Sequence, residues 1–240
     1  MTSSGAIPWT PTVPICNPIE VFADSEALAV AAAGRIAALA ARAQAERGVF
    51  RLALSGGRTP HRCYEHLRHG AIDWLHTEVY FSDERCLPRG DPERNDTMAL
   101  ETLLRHVPVP PSHIHVIPAE LGPDAAAAAY VRVLASVQPL DLVLLGMGED
   151  GHTASLFPDD HAWRSKALVV PVVGAPKPPA LRVSLGLDVL NASRHKLFLV
   201  AGTEKHQALQ RMEDGAQFPA ALVVGAEWYV DQAALSGKVG

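Results

Sequence analysis

Three short polar segments, each directly after an apolar run, carry the side chains best suited to chemistry. They are Ser55–Pro60 (SGGRTP), Ser82–Arg85 (SDER) and Gly146–His152 (GMGEDGH). In open α/β sheets, ligands bind beyond the carboxyl ends of the strands, because loops and helix N-termini gather there. If the three apolar runs are parallel strands, the three segments meet at one edge of a sheet. We therefore expect one site that combines them.

His152 is the candidate general base. It follows a glycine-rich turn and stands two residues after Asp150, whose carboxylate can orient the imidazole or raise its basicity. A lone histidine is more often structural than catalytic, but the position and the neighbour favour catalysis here. No HxxxH or HExxH spacing surrounds it, so a metal site is the weaker alternative. We expect neither a metal nor an organic cofactor.

The first segment predicts an anion site. Gly56 and Gly57 permit close backbone approach, and the N–H groups of the helix that Pro60 begins favour a phosphate. Ser55 and Thr59 flank the glycines with hydroxyl groups. The alternative is a plain tight turn capped by Thr59. The GxxxxGK[ST] spacing of a P-loop is absent from this segment.

Four further charged residues can complete such a site. Asp83 can orient a hydroxyl or act as a base, and Arg85 can pair with an anionic group, although both also suit a solvated strand end. Arg182 stands in an apolar strand, where a cation is costly unless it faces a pocket or a partner. Lys205 is predicted at the head of a helix beyond another strand end. Taken alone, Arg182 and Lys205 are more often surface charges.

The third segment also matches the G-x-G-x-x-G pattern of dinucleotide-binding folds. The match lies past mid-chain, and Pro158 limits the helix that it could begin. About 20 residues on, where an acid should bind the ribose, the sequence offers only the apolar run Val169–Val173. We therefore predict no NAD binding. Ser155 belongs to no GxSxG motif and is expected in a helix, so no serine nucleophile is predicted.

Short apolar strands alternate with helices along the chain. This alternation predicts an α/β fold of Rossmann-like type, with an open, mainly parallel sheet and helices on both faces. Strands are expected at residues 20–23, 49–54, 78–82, 114–117, 141–145, 167–173, 181–185, 196–201 and 221–225. Helices are expected at residues 25–47, 60–68, 96–106, 123–137, 188–193 and 203–212. We predict a Pro-rich lead-in at residues 1–18, a single α/β domain at 19–240, and a loop at 175–180 that can act as a flap.

Composition narrows the function classes. With 48% hydrophobic and 20% charged residues, the chain resembles ordinary globular proteins, and no apolar run is long enough to cross a bilayer. The first residues lack the basic start and apolar core of a secretory signal. Three cysteines without a CxxC pair fit a reduced protein, so we expect a cytoplasmic location. A net charge of −5 gives no support for nucleic-acid binding. We expect a small-molecule partner and a monomer, with a dimer as the alternative.

Five segments together resemble the 6-phosphogluconolactonase family, which is related to glucosamine-6-phosphate deaminase. They span residues from about 20 to near the C-terminus and read LALSGGRTP, FSDERCLP with Asn95 following, LLGMGEDGHTASLFP, PPALRVSLGLDVLNAS and AGTEKHQAL. The resemblance implies the sugar-phosphate isomerase/deaminase-like fold. It also implies hydrolysis of 6-phospho-D-glucono-1,5-lactone to 6-phospho-D-gluconate, a step of the oxidative pentose phosphate pathway, without a cofactor.

The resemblance further implies residue roles. His152 would be the general base and Asp150 its support. Arg85 or backbone N–H groups would stabilise the tetrahedral oxyanion. The 6-phosphate of the substrate would bind at Ser55, Gly56, Gly57, Thr59, Arg182 and Lys205.

Two positions depart from the patterns of these related enzymes. The deaminase stretch reads DGHIAFNEP, and its glutamate assists ring opening. Phe157 stands at that position here, which favours the lactonase over the alternative of a glucosamine-6-phosphate deaminase or isomerase. The family often has serine before the asparagine of the second motif, where this chain has Arg94. That difference leaves a detail of substrate contact open.

Overall fold

A computed structural model describes residues 19–238, so the predicted lead-in at residues 1–18 lies outside the described residues. The strands found there are β1 (Ile19–Phe22), β2 (Phe50–Leu54), β3 (Thr77–Phe81), β4 (Asp83–Arg85), β5 (Leu142–Leu145), β6 (Val169–Val173), β7 (Leu181–Leu185), β8 (His195–Val200) and β9 (Glu227–Asp231). The α-helices are α1 (Ser25–Arg47), α2 (Arg58–Leu67), α3 (Asn95–Ala99), α4 (Pro123–Leu134), α5 (Leu187–Ala192), α6 (His206–Glu213) and α7 (Gln232–Ser236).

Six strands form one parallel sheet in the order β1-β9-β8-β5-β2-β3. The inner strand β5 reads Leu-Val-Leu-Leu, and all four side chains are fully buried, as a parallel strand covered on both faces requires. The predicted α/β fold with an open, mainly parallel sheet is confirmed. Because the strands are parallel, the loops that follow β2, β3, β5 and β8 leave the sheet at the same edge.

Helix α1 begins and ends where the sequence predicts. The Asp24 side chain accepts hydrogen bonds from the N–H groups of Glu26 and Ala27, at 3.0 and 2.8 Å, and so caps the first turn. Gly48 ends the helix in the left-handed conformation, with φ of 75°. Small and aliphatic residues on one side of α1 are buried against the sheet and α2: Leu28, Ala29, Ala32, Ala33, Ile36, Leu39, Ala40 and Ala43.

A second, three-stranded antiparallel sheet has the order β4-β7-β6. The sequence predicts a polar loop at Ser82–Arg85, but Asp83 to Arg85 pair with β7, and Arg85 lies directly opposite Arg182. Ser82 joins the two sheets, since its N–H donates to the carbonyl of Leu54 and its carbonyl accepts from the N–H of Leu185, both at 2.8 Å. The small sheet therefore brings two arginines to the edge of the large one.

Several element predictions were wrong. Only Ile114 of the predicted strand 114–117 pairs, through a single bridge to Val79. The first two residues of the predicted strand 221–225 belong to a 3-10 helix at Pro219–Leu222, and the strand of this region is β9. The predicted helix 96–106 is α3 followed by a π-helical turn at Leu100–Leu104. The predicted helix 123–137 ends at Leu134. No helix within residues 19–238 is long and apolar enough to cross a membrane.

Candidate active site

A cleft of about 430 Å³ opens at the edge of the large sheet where β2, β3, β5 and β8 end. Nine of the ten predicted site residues line it: Ser55, Gly56, Gly57, Thr59, Asp83, Arg85, His152, Arg182 and Lys205. The tenth, Asp150, contacts the imidazole of His152. The three polar segments therefore meet as expected, while the role of each residue stays a prediction.

The loop between β2 and α2 exposes backbone to the cleft. Helix α2 begins at Arg58, and Gly57 before it has φ of 109°, a conformation that favours glycine. The hydroxyl of Tyr64 accepts from the N–H of Ser55 at 3.0 Å and donates to its carbonyl at 2.8 Å, which fixes the loop onto the helix. The first N–H groups of α2 have no intrahelical acceptor, so the loop offers donors to an anion.

Three cations of the cleft lack a carboxylate partner within residues 19–238. Arg182 donates to the carbonyls of Lys177 and Pro179, at 2.9 and 3.0 Å, and Arg85 donates to the carbonyl of Glu93. Lys205 forms no ion pair in this part of the chain, and burial lowers the pKa values of both Lys205 and Arg182. Partly desolvated cations that form no direct ion pair favour a bound anion.

Three other cations at the cleft are neutralised by carboxylates. Arg58 pairs with Glu204 at 2.9 Å, Lys177 pairs with Glu149 at 3.2 Å, and Arg62 pairs with Glu26 at 3.3 Å. All three pairs are largely exposed, so each contributes little to stability. The positive charge available to a ligand therefore concentrates at Arg85, Arg182 and Lys205.

His152 and Asp150 form the ion-pair geometry that the sequence predicts. The imidazole Nδ1 lies 2.6 Å from Asp150 Oδ1, and the same oxygen accepts from the backbone N–H of His152 at 3.1 Å. Burial alone would raise the pKa of Asp150, but the hydrogen bond and the charge of His152 outweigh burial and lower this pKa to about 2. An ionised Asp150 accepts the Nδ1 proton and leaves Nε2 as the basic atom.

Phe157 occupies the position where the related deaminase pattern has an acid. Its ring is buried and packs against the imidazole of His152, with ring centres 4.6 Å apart. The guanidinium carbon of Arg182 lies 5.6 Å from the centre of the same ring. Phe157 thus packs beside the predicted base and one cation of the cleft, and its phenyl ring has no group that can transfer a proton.

The prediction that Ser155 lies in a helix was wrong. Ser155 belongs to a tight turn closed by pairing of Thr153 with Leu156. Its buried hydroxyl donates to Asp83 Oδ2 at 2.6 Å. A dinucleotide site would need a helix after the glycines, and this turn stands in its place.

Arg94 is fully buried and lies outside the residues that line the cleft. Its guanidinium forms two hydrogen bonds to Asp96, at 2.8 and 2.6 Å, and one to Glu120 at 3.1 Å. The residue that departs from the family pattern therefore forms ion pairs behind the cleft and does not line the cleft itself.

Asn95 and Lys177 also line the cleft, although neither is among the ten predicted site residues. Asn95 begins α3, and its sequence signal is its place after the FSDERCLP segment. Lys177 lies in the 175–180 loop, so only the interpretation of this loop as a flap pointed toward the site. Within residues 19–238, no group of three or more His, Cys, Asp or Glu side chains is arranged to hold a metal ion.

The chain is similar to known proteins over most of its length. Residues 23–230 match the family model described as glucosamine-6-phosphate isomerases/6-phosphogluconolactonase. A 6-phosphogluconolactonase of Streptomyces coelicolor is 40% identical over 241 residues, covering 90% of this chain and 92% of that protein. A 6-phosphogluconolactonase of Mycobacterium leprae is 37% identical over 237 residues, covering 90% and 96%. The crystal structure of 6-phosphogluconolactonase from Thermotoga maritima superposes with a TM-score of 0.84 at 28% identity, covering 90% of this chain and all of that one.

Proposed function

Because the chain belongs to the glucosamine-6-phosphate isomerase/6-phosphogluconolactonase family, we propose that its cleft hydrolyses 6-phospho-D-glucono-1,5-lactone with His152 as general base. The chain is an enzyme of the lactone-hydrolysing kind in this family. The product is 6-phospho-D-gluconate, which places the activity in the oxidative pentose phosphate pathway. The observation that carries the proposal is a histidine oriented by an ionised aspartate, in a cleft that also holds three cations with no carboxylate partner among residues 19–238.

Proton transfer by His152 accounts for the hydrolysis. Nε2 takes a proton from water as the water oxygen forms a bond to C1 of the lactone, and the carbonyl electrons move onto oxygen. Arg85 supplies positive charge for this oxyanion. When the tetrahedral intermediate collapses, the bond from C1 to the ring oxygen breaks, and the ring oxygen takes the proton back from His152. The water is consumed, and no electrons leave the substrate, so the reaction needs no redox carrier.

The 6-phosphate is the group that anchors the substrate. The loop residues Ser55–Gly57 and the start of α2 offer backbone N–H donors, and Arg182 and Lys205 offer charge. Binding the phosphate at this end of the cleft positions the lactone carbonyl relative to His152, and positioning alone gives a large rate advantage for an ester that water already hydrolyses slowly.

Phe157 separates this proposal from the deaminase alternative. A deaminase needs an acid that assists opening of the sugar ring, and a phenyl ring cannot donate or accept that proton. Phe157 is buried against the imidazole of His152, so this position supplies no acid beside the proposed base.

A direct assay tests the proposed function. Freshly prepared 6-phosphogluconolactone is added to the purified protein, and acid release is followed by pH-stat and corrected for spontaneous hydrolysis. Ammonia release from glucosamine 6-phosphate is measured in parallel. We expect lactone hydrolysis well above the spontaneous rate and no ammonia. Ammonia release, or hydrolysis at the spontaneous rate, would overturn the proposal.

A further inference from the structure

A chain of buried hydrogen bonds connects the turn after His152 to the loop before α2. The hydroxyl of Ser155 donates to Asp83 Oδ2 at 2.6 Å. The side-chain amide of Asn95 donates to Asp83 Oδ1 at 3.1 Å and to the Asp83 carbonyl at 2.9 Å. The oxygen of the Asn95 amide then lies beside Gly56. This chain of hydrogen bonds therefore ends at the wall of the cleft.

Both acceptors that face the Asn95 amide come from Asp83, and this determines how the amide is turned. A nitrogen must face two oxygen acceptors, so Nδ2 points to Asp83 and Oδ1 points away from it. A side chain on Gly56 would place its Cβ 1.9 Å from Oδ1, so the oxygen occupies the space that only a glycine leaves open. Oδ1 thus sits directly beside the backbone of the predicted phosphate loop.

The oxygen is also held rigidly. Asn95 is 3% exposed, and its backbone N–H donates to Glu84 Oε1 at 2.8 Å. The same carboxylate accepts from the N–H groups of Arg85 and Asp96, each at 2.8 Å. Oδ1 accepts no hydrogen bond from any donor within residues 19–238. An oriented acceptor without a partner, on the wall of a polar cleft, is suited to a ligand hydroxyl.

We propose that Asn95 determines specificity by accepting a hydrogen bond, at Oδ1, from one ring hydroxyl of the sugar-phosphate lactone. The inference rests on the proposed function. The hydroxyl belongs to C2, C3 or C4, because these carbons lie between the lactone carbonyl, which the water activated by His152 attacks, and the phosphate that the Gly56 loop holds. Asp83 then acts as a positioning residue, since its carboxylate is already occupied by Ser155 and Asn95.

Deoxy substrates identify the hydroxyl. The 2-deoxy, 3-deoxy and 4-deoxy forms of 6-phosphogluconolactone are each prepared by oxidation of the corresponding deoxyhexose 6-phosphate, and kcat/KM is measured against the parent lactone. In the wild type we expect one deoxy form to lose about tenfold in kcat/KM relative to the other two, because it leaves Oδ1 unpaired. Equal kcat/KM for all three deoxy forms would overturn the proposal.

Two substitutions assign the preference to Asn95. Asn95→Ala removes Oδ1 and also the donor to Asp83. Asn95→Ser removes Oδ1 but keeps a hydroxyl that can donate to Asp83, so this variant disturbs the fold less. Both variants should hydrolyse the sensitive deoxy lactone and the parent lactone with nearly equal kcat/KM. Such a result shows that discrimination between the two substrates is lost, which a general loss of activity would not produce. Asn191→Ala, which removes an amide bonded to Leu222 and Val224 away from the cleft, should keep the wild-type preference.

The outcomes separate this inference from the proposed function. No hydrolysis of the parent lactone by the wild type defeats the function itself. Hydrolysis of the parent, with the same discrimination ratio in wild type and Asn95→Ser, leaves the function standing and overturns the role of Asn95.

Discussion

At the scale of single residues, the proposed proton transfer depends on which ring nitrogen of His152 is basic. Asp150 Oδ1 receives hydrogen bonds from both the ring Nδ1 and the backbone N–H of His152, so one carboxylate oxygen fixes the ring and the turn together. The low pKa of Asp150, about 2, means that the carboxylate is ionised wherever the enzyme works. We therefore expect Asp150 to act through the tautomer and orientation of the imidazole.

Asp150→Asn tests this tautomer argument. The asparagine keeps the shape but offers Nδ1 either a donor or a weaker acceptor, so part of the protein holds the wrong tautomer. We expect kcat to fall on the order of a hundredfold with little change in KM, as measured with 6-phosphogluconolactone at saturation. An unchanged kcat would remove Asp150 from the mechanism.

The effect of Asp150→Asn on the free energy of unfolding should also depend on pH. The fold lowers the pKa of Asp150 from its ordinary 3.8 to about 2, so the ionised form is the one that the native state favours. This stabilisation is fully present above the unfolded pKa and is lost as the pH falls from about 4 to about 2. Urea unfolding should show a gap in the free energy of unfolding between wild type and Asp150→Asn that is present at about pH 5 and closes as the pH falls from about 4 to about 2. A gap that stays constant down to about pH 2 would contradict the shift.

At the scale of elements, the site depends on where strands and loops end. The small sheet places Arg182 opposite Arg85, and Arg182 in turn holds the 175–180 loop through the carbonyls of Lys177 and Pro179. Arg182 therefore contributes both charge and loop position to the predicted phosphate end of the cleft.

Substitution of Arg182 separates these contributions. Arg182→Ala should raise KM for the lactone by about 10- to 100-fold with kcat nearly unchanged, because charge-assisted bonds to phosphate are lost in ground state and transition state alike. Arg182→Lys keeps the charge but not the planar group that bonds the loop, and should recover part of the loss. Arg164→Ala, at an exposed arginine on Trp163, is the matched control. An unchanged KM in Arg182→Ala would count against phosphate binding by this residue.

At the scale of the whole molecule, the sequence predicts the large sheet and the place of the site but not the small sheet. The runs that become β2 and β5 are apolar and are followed by glycines, and such local patterns are enough to predict buried strands and their loops. β4 reads Asp-Glu-Arg, and only its pairing with β7, about a hundred residues later, makes it a strand.

Two further failures have the same physical origin. Residues 221–225 read ALVVG, an apolar run typical of a strand, but they are not the strand. β9 reads EWYVD, and the charged residues at its two ends make its apolar centre difficult to recognise as a strand. Which of the two joins the sheet is decided by packing beside β8. Likewise, Asn95 borders the cleft because Asp83 turns its amide and Gly56 leaves space, and neither contact has a local signal in the sequence.

The central claim is that His152 is the base that activates water, and the turnover of His152→Ala on 6-phosphogluconolactone tests it most directly. The rate is corrected for spontaneous hydrolysis, and His161→Ala, at an exposed histidine outside the cleft, serves as control. We predict that kcat falls by about 10²- to 10⁴-fold while KM changes by less than about threefold. Turnover near that of the wild type in His152→Ala would contradict it.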